Sequence, residues 1–264
     1  MTLPKIDIPT FKLTIPSTKK EITMRCMKVS DEKILLMARE GNDYKEIMTA
    51  IKQVINNCIN FNDPRESISV DSLAIFDLEY IFLQLRGHSI SEVIQLSFID
   101  NEEVDTAIND LKDLVDDQEK LIDKARAEAT RTFDVNLYEV KVKFPEKAID
   151  NRIKVSDNVY IVMKWPPASL YSEEDFTTVE GADKIMDVLA VASVDKVEDG
   201  KGKVYEYSTV ELVQMLDGLS IKAYGKIMEY LSNLPHLEYE IKYTNKLGKD
   251  RSIVLTRLQD FFTL

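Results

Sequence analysis

Reactive residues are scarce in this chain. Its 264 residues include two histidines, two cysteines, one tryptophan and eight glycines. His88 and His236 each follow a helix-ending residue, Gly87 and Pro235. Neither has a second histidine or a cysteine nearby at the spacing that a metal site or catalytic dyad needs. Both read as boundary residues. Cys26 and Cys58 lie in apolar periodic segments, where a free thiol packs as a small hydrophobe, so the chain reads as disulfide-free and intracellular. There is no GxGxxG, Walker-type loop, GxSxG or HExxH. Gly200-Lys201-Gly202-Lys203 lacks the following Ser or Thr and the strand–loop–helix setting of a phosphate loop, and reads as a hairpin turn. No run of about 18 apolar residues is present to cross a membrane. Asp7 and two early prolines interrupt any apolar stretch of the signal-peptide kind.

Acidic residues are plentiful. Asp and Glu number 46 against 34 Lys and Arg, a formal net charge of −12. Phosphate recognition needs a basic face, and none is visible, so nucleic acid is not an expected partner. The acidity favours solubility and suits neutral or basic partners. Most of the acidic pairs, such as Asp116-Asp117 and Glu173-Glu174, read as solvated helix faces. A role in acid–base chemistry or in metal binding is the weaker reading. Asp77 and Glu79 differ, because they fall in a strongly apolar segment. Once buried they need partners, and Arg86 is the candidate.

Periodicity gives an α+β fold class. Thr10–Ile15 alternates, with Phe11, Leu13 and Ile15 on one side. Glu21–Val29 returns after Pro16-Ser17-Thr18, which predicts an N-terminal β-hairpin with a loop longer than two residues. A helical core follows. One helix is capped by Ser30 with Asp31 and Glu32 in its first turn, and a second spans about 43–57 on the face Ile47, Ala50, Ile51, Val54, Ile55 and Cys58. A third, over 73–86, is apolar nearly all round and belongs at the centre of the core. Strands are expected over 92–99, 136–144 and 153–164, and helices over 181–191, 209–216 and 220–234. Ser208 and Glu211 have the spacing of a capping box. Residues 237–243 and 252–256 predict a closing C-terminal hairpin, followed by a short helical tail. Because strands and helices do not alternate as βαβ units, the class is α+β.

Between 101 and 129, Val104, Ile108, Leu111, Val115 and Ile122 recur at heptad-like spacing, with Gln118 in the polar gap. This predicts one long acidic amphipathic helix. Its seam is either a docking arm for a partner or a face packed on its own domain. A domain boundary is placed near it, giving 1–130 (hairpin, helices and the acidic helix) and 131–264 (a second α+β part).

Three segments resemble a known family: Leu3-Pro-Lys-Ile-Asp-Ile-Pro-Thr-Phe-Lys-Leu-Thr-Ile-Pro-Ser-Thr, Lys33-Ile-Leu-Leu-Met-Ala, and Phe76-Asp-Leu-Glu-Tyr-Ile-Phe-Leu-Gln-Leu-Arg. Val162-Met-Lys-Trp-Pro and the terminal Leu258-Gln-Asp-Phe-Phe fit as well. The family is the T4-type baseplate hub subunits and hub-assembly proteins of contractile-tailed phages, and the acidic helix matches it least. The resemblance implies a non-enzymatic structural protein or assembly chaperone without a cofactor. Its partners would be other baseplate hub or tail assembly proteins, met in the host cytoplasm and in the tail baseplate. Some relatives carry paired cysteines in the closing hairpin, implying a zinc knuckle. Here that loop is Thr244-Asn-Lys-Leu-Gly-Lys-Asp, without cysteine, so no metal is expected. Two other readings compete, a cytosolic adaptor unrelated to phage and an enzyme using dispersed carboxylates. Oligomeric state is open.

Overall fold

A computed structural model describes residues 6–41, 43–59, 68–111, 118–147, 149–173 and 182–262. The chain forms two compact units, each made of two segments: Met1–Leu85 with Val142–His236, and Arg86–Lys141 with Leu237–Leu264. The sequence reading put a single boundary near 130; the observed units interleave along the chain instead.

The first unit begins with β1 (Thr10–Thr14) and β2 (Glu21–Arg25), an antiparallel hairpin in register Leu13↔Ile22. Leu13, Ile22 and Met24 are buried. The four-residue loop closes through Lys19 N–H on the Ile15 carbonyl, with Lys19 at φ 58°. Helix α1 (Val29–Gly41) begins one residue before the expected cap Ser30, and Asp31 in its first turn supplies the acceptor at its start. The buried Asp31 carboxylate reaches back to the Lys28 N–H at 2.8 Å and takes Arg25 at 2.7 Å and Asn57 at 3.2 Å. Burial pushes this carboxyl up, but those three donors outweigh it and hold the group below the ordinary Asp value. Helix α2 (Tyr44–Ile59) buries Met48, Ile51, Val54, Ile55 and Cys58, the stripe its periodicity predicts. Cys26 and Cys58 are not joined in a disulfide. Burial pushes the Cys58 thiol up to about 12, so it remains protonated.

Helix α3 (Ile75–Ser89) is buried all round, with Leu78, Ile81, Leu83 and Leu85 fully enclosed. It runs through Gly87, which was expected to end it. A Cβ at Gly87 would lie 2.9 Å from the Tyr138 ring, so this glycine serves close packing. The partners of its acids also differ from expectation. Asp77 accepts the Ser17 N–H at 2.9 Å, and Glu79 accepts the Tyr171 hydroxyl at 3.1 Å. The Arg86 guanidinium lies 5.4 Å from the centre of the Phe262 ring.

The second unit contains β3 (Val93–Ile99), α4 (Asn101–Leu111), α5 (Gln118–Ala129) and β4 (Thr130–Asn136). β3 and β4 pair antiparallel from Val93↔Asn136 to Ile99↔Thr130, so the two helices form an excursion from the hairpin's end. The expected strand at 136–144 is a 3-10 turn, Leu137–Glu139, then β5 (Lys141–Lys143). The Asn136 side chain caps that turn at the Tyr138 N–H.

Back in the first unit, the expected strand at 153–164 is a hairpin, β6 (Arg152–Ser156) and β7 (Val159–Met163). After α6 (Leu170–Glu173) and α7 (Ala182–Ala192), β8 (Val194–Asp199) completes an antiparallel sheet in the order β6-β7-β8. The Gly200–Lys203 turn after β8 is clamped by Asp199, whose carboxylate accepts the Lys201 and Lys203 N–H groups. Helix α8 (Thr209–Asp217) opens on the expected Ser208–Glu211 capping box, and α9 (Ile221–Ser232) opens on Ser220. Ile153, Ile161 and Met163 of the sheet pack with Ala190, Leu216, Ile227 and Leu231 of the helices. The second unit ends in the hairpin β9 (His236–Thr244) and β10 (Asp250–Leu255) and a 3-10 turn that buries Phe261. The fold is α+β, with a β-hairpin near each end of the chain.

Candidate partner-binding surfaces

The stretch predicted as one helix over 101–129 is a helical hairpin. A continuous helix of that length would hold its ends about 40 Å apart. Instead the Asp100 N–H donates to the Ala129 carbonyl at 3.1 Å. Val104 is only 7% exposed and packs on Ala125 and Ala129, with Ile108 against the same cluster. Ile122 is half-buried, and the buried positions of α5 are Leu121, Ala125 and Ala129. Leu111 ends α4, and its side chain, like all of Val115, lies outside the described residues. The spacing of Val104 and Ile108 thus reports the packing of α4 on α5. Asp116, Asp117 and Glu174 also lie outside the described residues, as does the Glu173 side chain.

The base of this helical hairpin is held by charge. Asp100 caps α4 at the Glu102 and Glu103 N–H groups, 3.1 and 3.2 Å, and accepts the Tyr243 hydroxyl at 2.9 Å. Burial pushes Asp100 up, but these donors, Asn245 and the Arg251 charge outweigh it and leave the carboxyl below its ordinary value. Buried Glu103 pairs with Arg131 and accepts the Lys246 N–H, while Glu102 pairs with Lys249 and Arg251. Arg131 lies 5.3 Å from the centre of the Tyr243 ring. The β9–β10 loop is shaped by Asn245, whose side chain accepts the Leu247 and Lys249 N–H groups, and by Gly248 at φ 75°. That is a hairpin loop built from an Asx turn and a glycine in the left-handed region. Among the described residues no three of His, Cys, Asp and Glu come together as ligands for a metal ion.

Sequence reasoning missed a groove of about 720 Å³ in the first unit. Its apolar lining comes from Val188 and Val191 of α7 and from Leu212, Val213 and Leu216 of α8. Asp187, Asp217 and Lys164 are the charged groups along it. The Tyr224 hydroxyl donates to the Asp187 carboxylate and fixes it on one side. Four separated stretches of chain supply the lining, so no local motif announces it. Its surface mixes apolar and polar area in about the proportion of protein surface generally, and it carries few charges.

No curated protein gives a significant match, and no solved structure does. The model of the family described as T4 bacteriophage base plate protein matches residues 8–263, nearly the whole chain. The chain therefore belongs to the T4 bacteriophage base plate protein family.

Proposed function

We propose that this baseplate protein is a subunit or assembly chaperone of the baseplate hub in a contractile tail, and that it acts by binding other baseplate proteins rather than by catalysis. The observation that supports this reading best is the α7–α8 groove, a trough with apolar side chains from both helices and with two carboxylates and one lysine along it. Its chemistry suits an amphipathic segment of another baseplate protein. The apolar side chains of that segment would fill the trough, and a basic residue would meet Asp187 or Asp217. Hydrophobic burial would supply most of the affinity, and the acidic rim would steer the encounter and its orientation.

Val213 tests this reading. It lies in the groove and is 40% exposed, so a charge there disturbs the trough more than the fold. Tagged wild-type chain purified from infected cells should bring down other baseplate proteins, and Val213→Glu should reduce that recovery about tenfold or more, the effect of a charge placed in an apolar contact. Equal recovery with both chains would sink the groove as the docking site. Mass spectrometry of purified tails then separates a resident subunit, which stays in the particle, from an assembly factor, which leaves.

A further inference from the structure

Helix α1 has two apolar faces, and only one has a partner among the described residues. Ile34, Leu35 and Ala38 are half-buried beside buried Asp31, on the side facing α2. On the opposite side Leu36 is 51% exposed and Met37 is 64% exposed. At 3.6 residues per turn, Lys33, Leu36, Met37 and Glu40 fall within about 100° of one another. They form a stripe with two large apolar side chains at the centre and one opposite charge on either side, and Val29, 67% exposed, extends it by one turn beyond Lys33.

That stripe complements itself when reversed. Its midpoint lies between Leu36 and Met37. Lys33 and Glu40 stand at equal distances from that midpoint, each about 5 Å along the axis at 1.5 Å per residue. If a second α1 packs antiparallel across a two-fold axis through this midpoint, Leu36 of one copy meets Met37 of the other. Lys33 then faces Glu40, and Glu40 faces Lys33. A two-fold contact requires this reciprocity, in which residue i meets residue j and j meets i. The four central positions, Lys33, Leu36, Met37 and Glu40, meet this requirement, so a second copy supplies the complementary charges by itself. Neither Lys33 nor Glu40 forms a salt bridge among the described residues.

We infer that α1 is a homodimerisation helix and that its outer face binds α1 of a second copy, antiparallel, through Leu36 and Met37 with two reciprocal Lys33–Glu40 pairs. One pair of 13-residue helices buries less than the usual 800 Å² or so per partner, so the dimer is weak and its population depends on concentration. Each copy carries a net charge of −12. Assembly is therefore measured at about 0.15 M salt, where the screening length is roughly 8 Å and long-range repulsion is largely removed.

Sedimentation equilibrium across micromolar to millimolar loading tests the inference, with circular dichroism confirming that each variant stays folded. Wild-type chain should show a reversible monomer–dimer equilibrium, and Leu36→Glu should remove it. Lys33→Glu or Glu40→Lys alone sets like charges face to face twice and should raise the dissociation constant about tenfold or more. The double swap Lys33→Glu/Glu40→Lys restores both pairs only if the contact is antiparallel and reciprocal, and it should return the constant to within a few-fold of wild type. Val213→Glu should leave the dimer intact, so failure of the groove and failure of this interface are separable. A wild type that stays monomeric throughout, a dimer indifferent to Leu36→Glu, or a double swap no tighter than the single variants each overturns the inference. So does capture of this face by a different protein while the chain itself remains monomeric.

Discussion

The sheet-and-helix core of the first unit and the helical hairpin of the second are held in different ways. In the first, three strands and three helices bring Ile153, Ile161, Met163, Ile227 and Leu231 into one apolar cluster. Hydrophobic burial of this kind is non-directional and is not screened by salt as ion pairs are. In the second, the apolar cluster between α4 and α5 has one valine and two alanines fully buried. What fixes the base of that hairpin is the ring of charges and hydrogen bonds around Asp100, Glu102, Glu103, Arg131 and Tyr243. A few buried charges can replace a large apolar core only where each finds a donor, and the arrangement is correspondingly sensitive to pH and to single substitutions. The acidic composition of the α4–α5 excursion is thus part of how its base is fastened, as well as a source of solubility.

Substitutions that strike one device and spare the other sharpen this contrast. The largest effect is expected from Ile161→Ala in the central strand β7, where the side chain is fully enclosed. Denaturant unfolding should show a loss of about 3 kcal/mol, the cost of lost burial plus the cavity left behind, and little change with salt. Glu103→Gln comes next. It removes the charge that meets Arg131 while keeping the side chain's shape. A loss of about 1–2 kcal/mol is expected, because a charge-assisted hydrogen bond becomes a neutral one. Hydrogen exchange should locate that loss in β3, β4 and the two helices, not in the β6–β8 sheet. If protection falls equally in both units, the devices are not separate. Asp100 adds a pH dependence. Its folded pKa lies below its unfolded value, so its contribution is present above the ordinary Asp value and disappears as pH falls through the folded one. Protection of β3 and β4 should therefore weaken in acid, and Asp100→Asn should flatten that response.

The same contrast explains what could be read from the sequence. Elements built on a local rule were legible: the Leu13/Ile22 hairpin, the all-round apolar α3, the Ser208–Glu211 cap and the turn at Gly200–Lys203. Elements defined by distant pairing were not. β4 follows α5 without a turn residue and buries only Val135, so its alternation is short and its partner lies some 30 residues upstream. β8 was hidden by a register shift: Val194 pairs with Met163 and Val197 with Ile161, so its two buried valines are three residues apart, a spacing that looks helical. The heptad over 101–129 was a true periodicity attached to a wrong continuity, because two helices that fold back on each other carry the same apolar spacing as one long helix. Arg86 was assigned to Asp77 and Glu79 on charge alone, while backbone and tyrosine donors from distant segments meet those acids. The α7–α8 groove was invisible for the reason β4 was, since its walls are assembled from four separate stretches.

The smallest expected effect runs against the usual direction. Asp77 is fully buried in the apolar α3, with one carboxylate oxygen held by the Ser17 N–H and the other without a hydrogen-bond donor among the described residues. Burial pushes its pKa up, and the Ser17 and Ala74 donors and the Lys19 charge only partly offset this. A carboxyl that binds its proton more tightly in the folded state destabilises the fold once it is charged. The chain should therefore gain stability as pH falls through the raised folded value toward the ordinary Asp value, and the full cost should be present at neutral pH. Asp77→Asn keeps the acceptor for Ser17 and sheds the desolvated charge. Unfolding at neutral pH should show a gain of about 0.5–1 kcal/mol, shrinking as the pH is lowered to the point where the wild-type carboxyl is itself protonated. Asp77 and Asp100 thus give opposite pH slopes in the two units, and a loss of stability in Asp77→Asn at neutral pH would mean that the charge is solvated or paired after all.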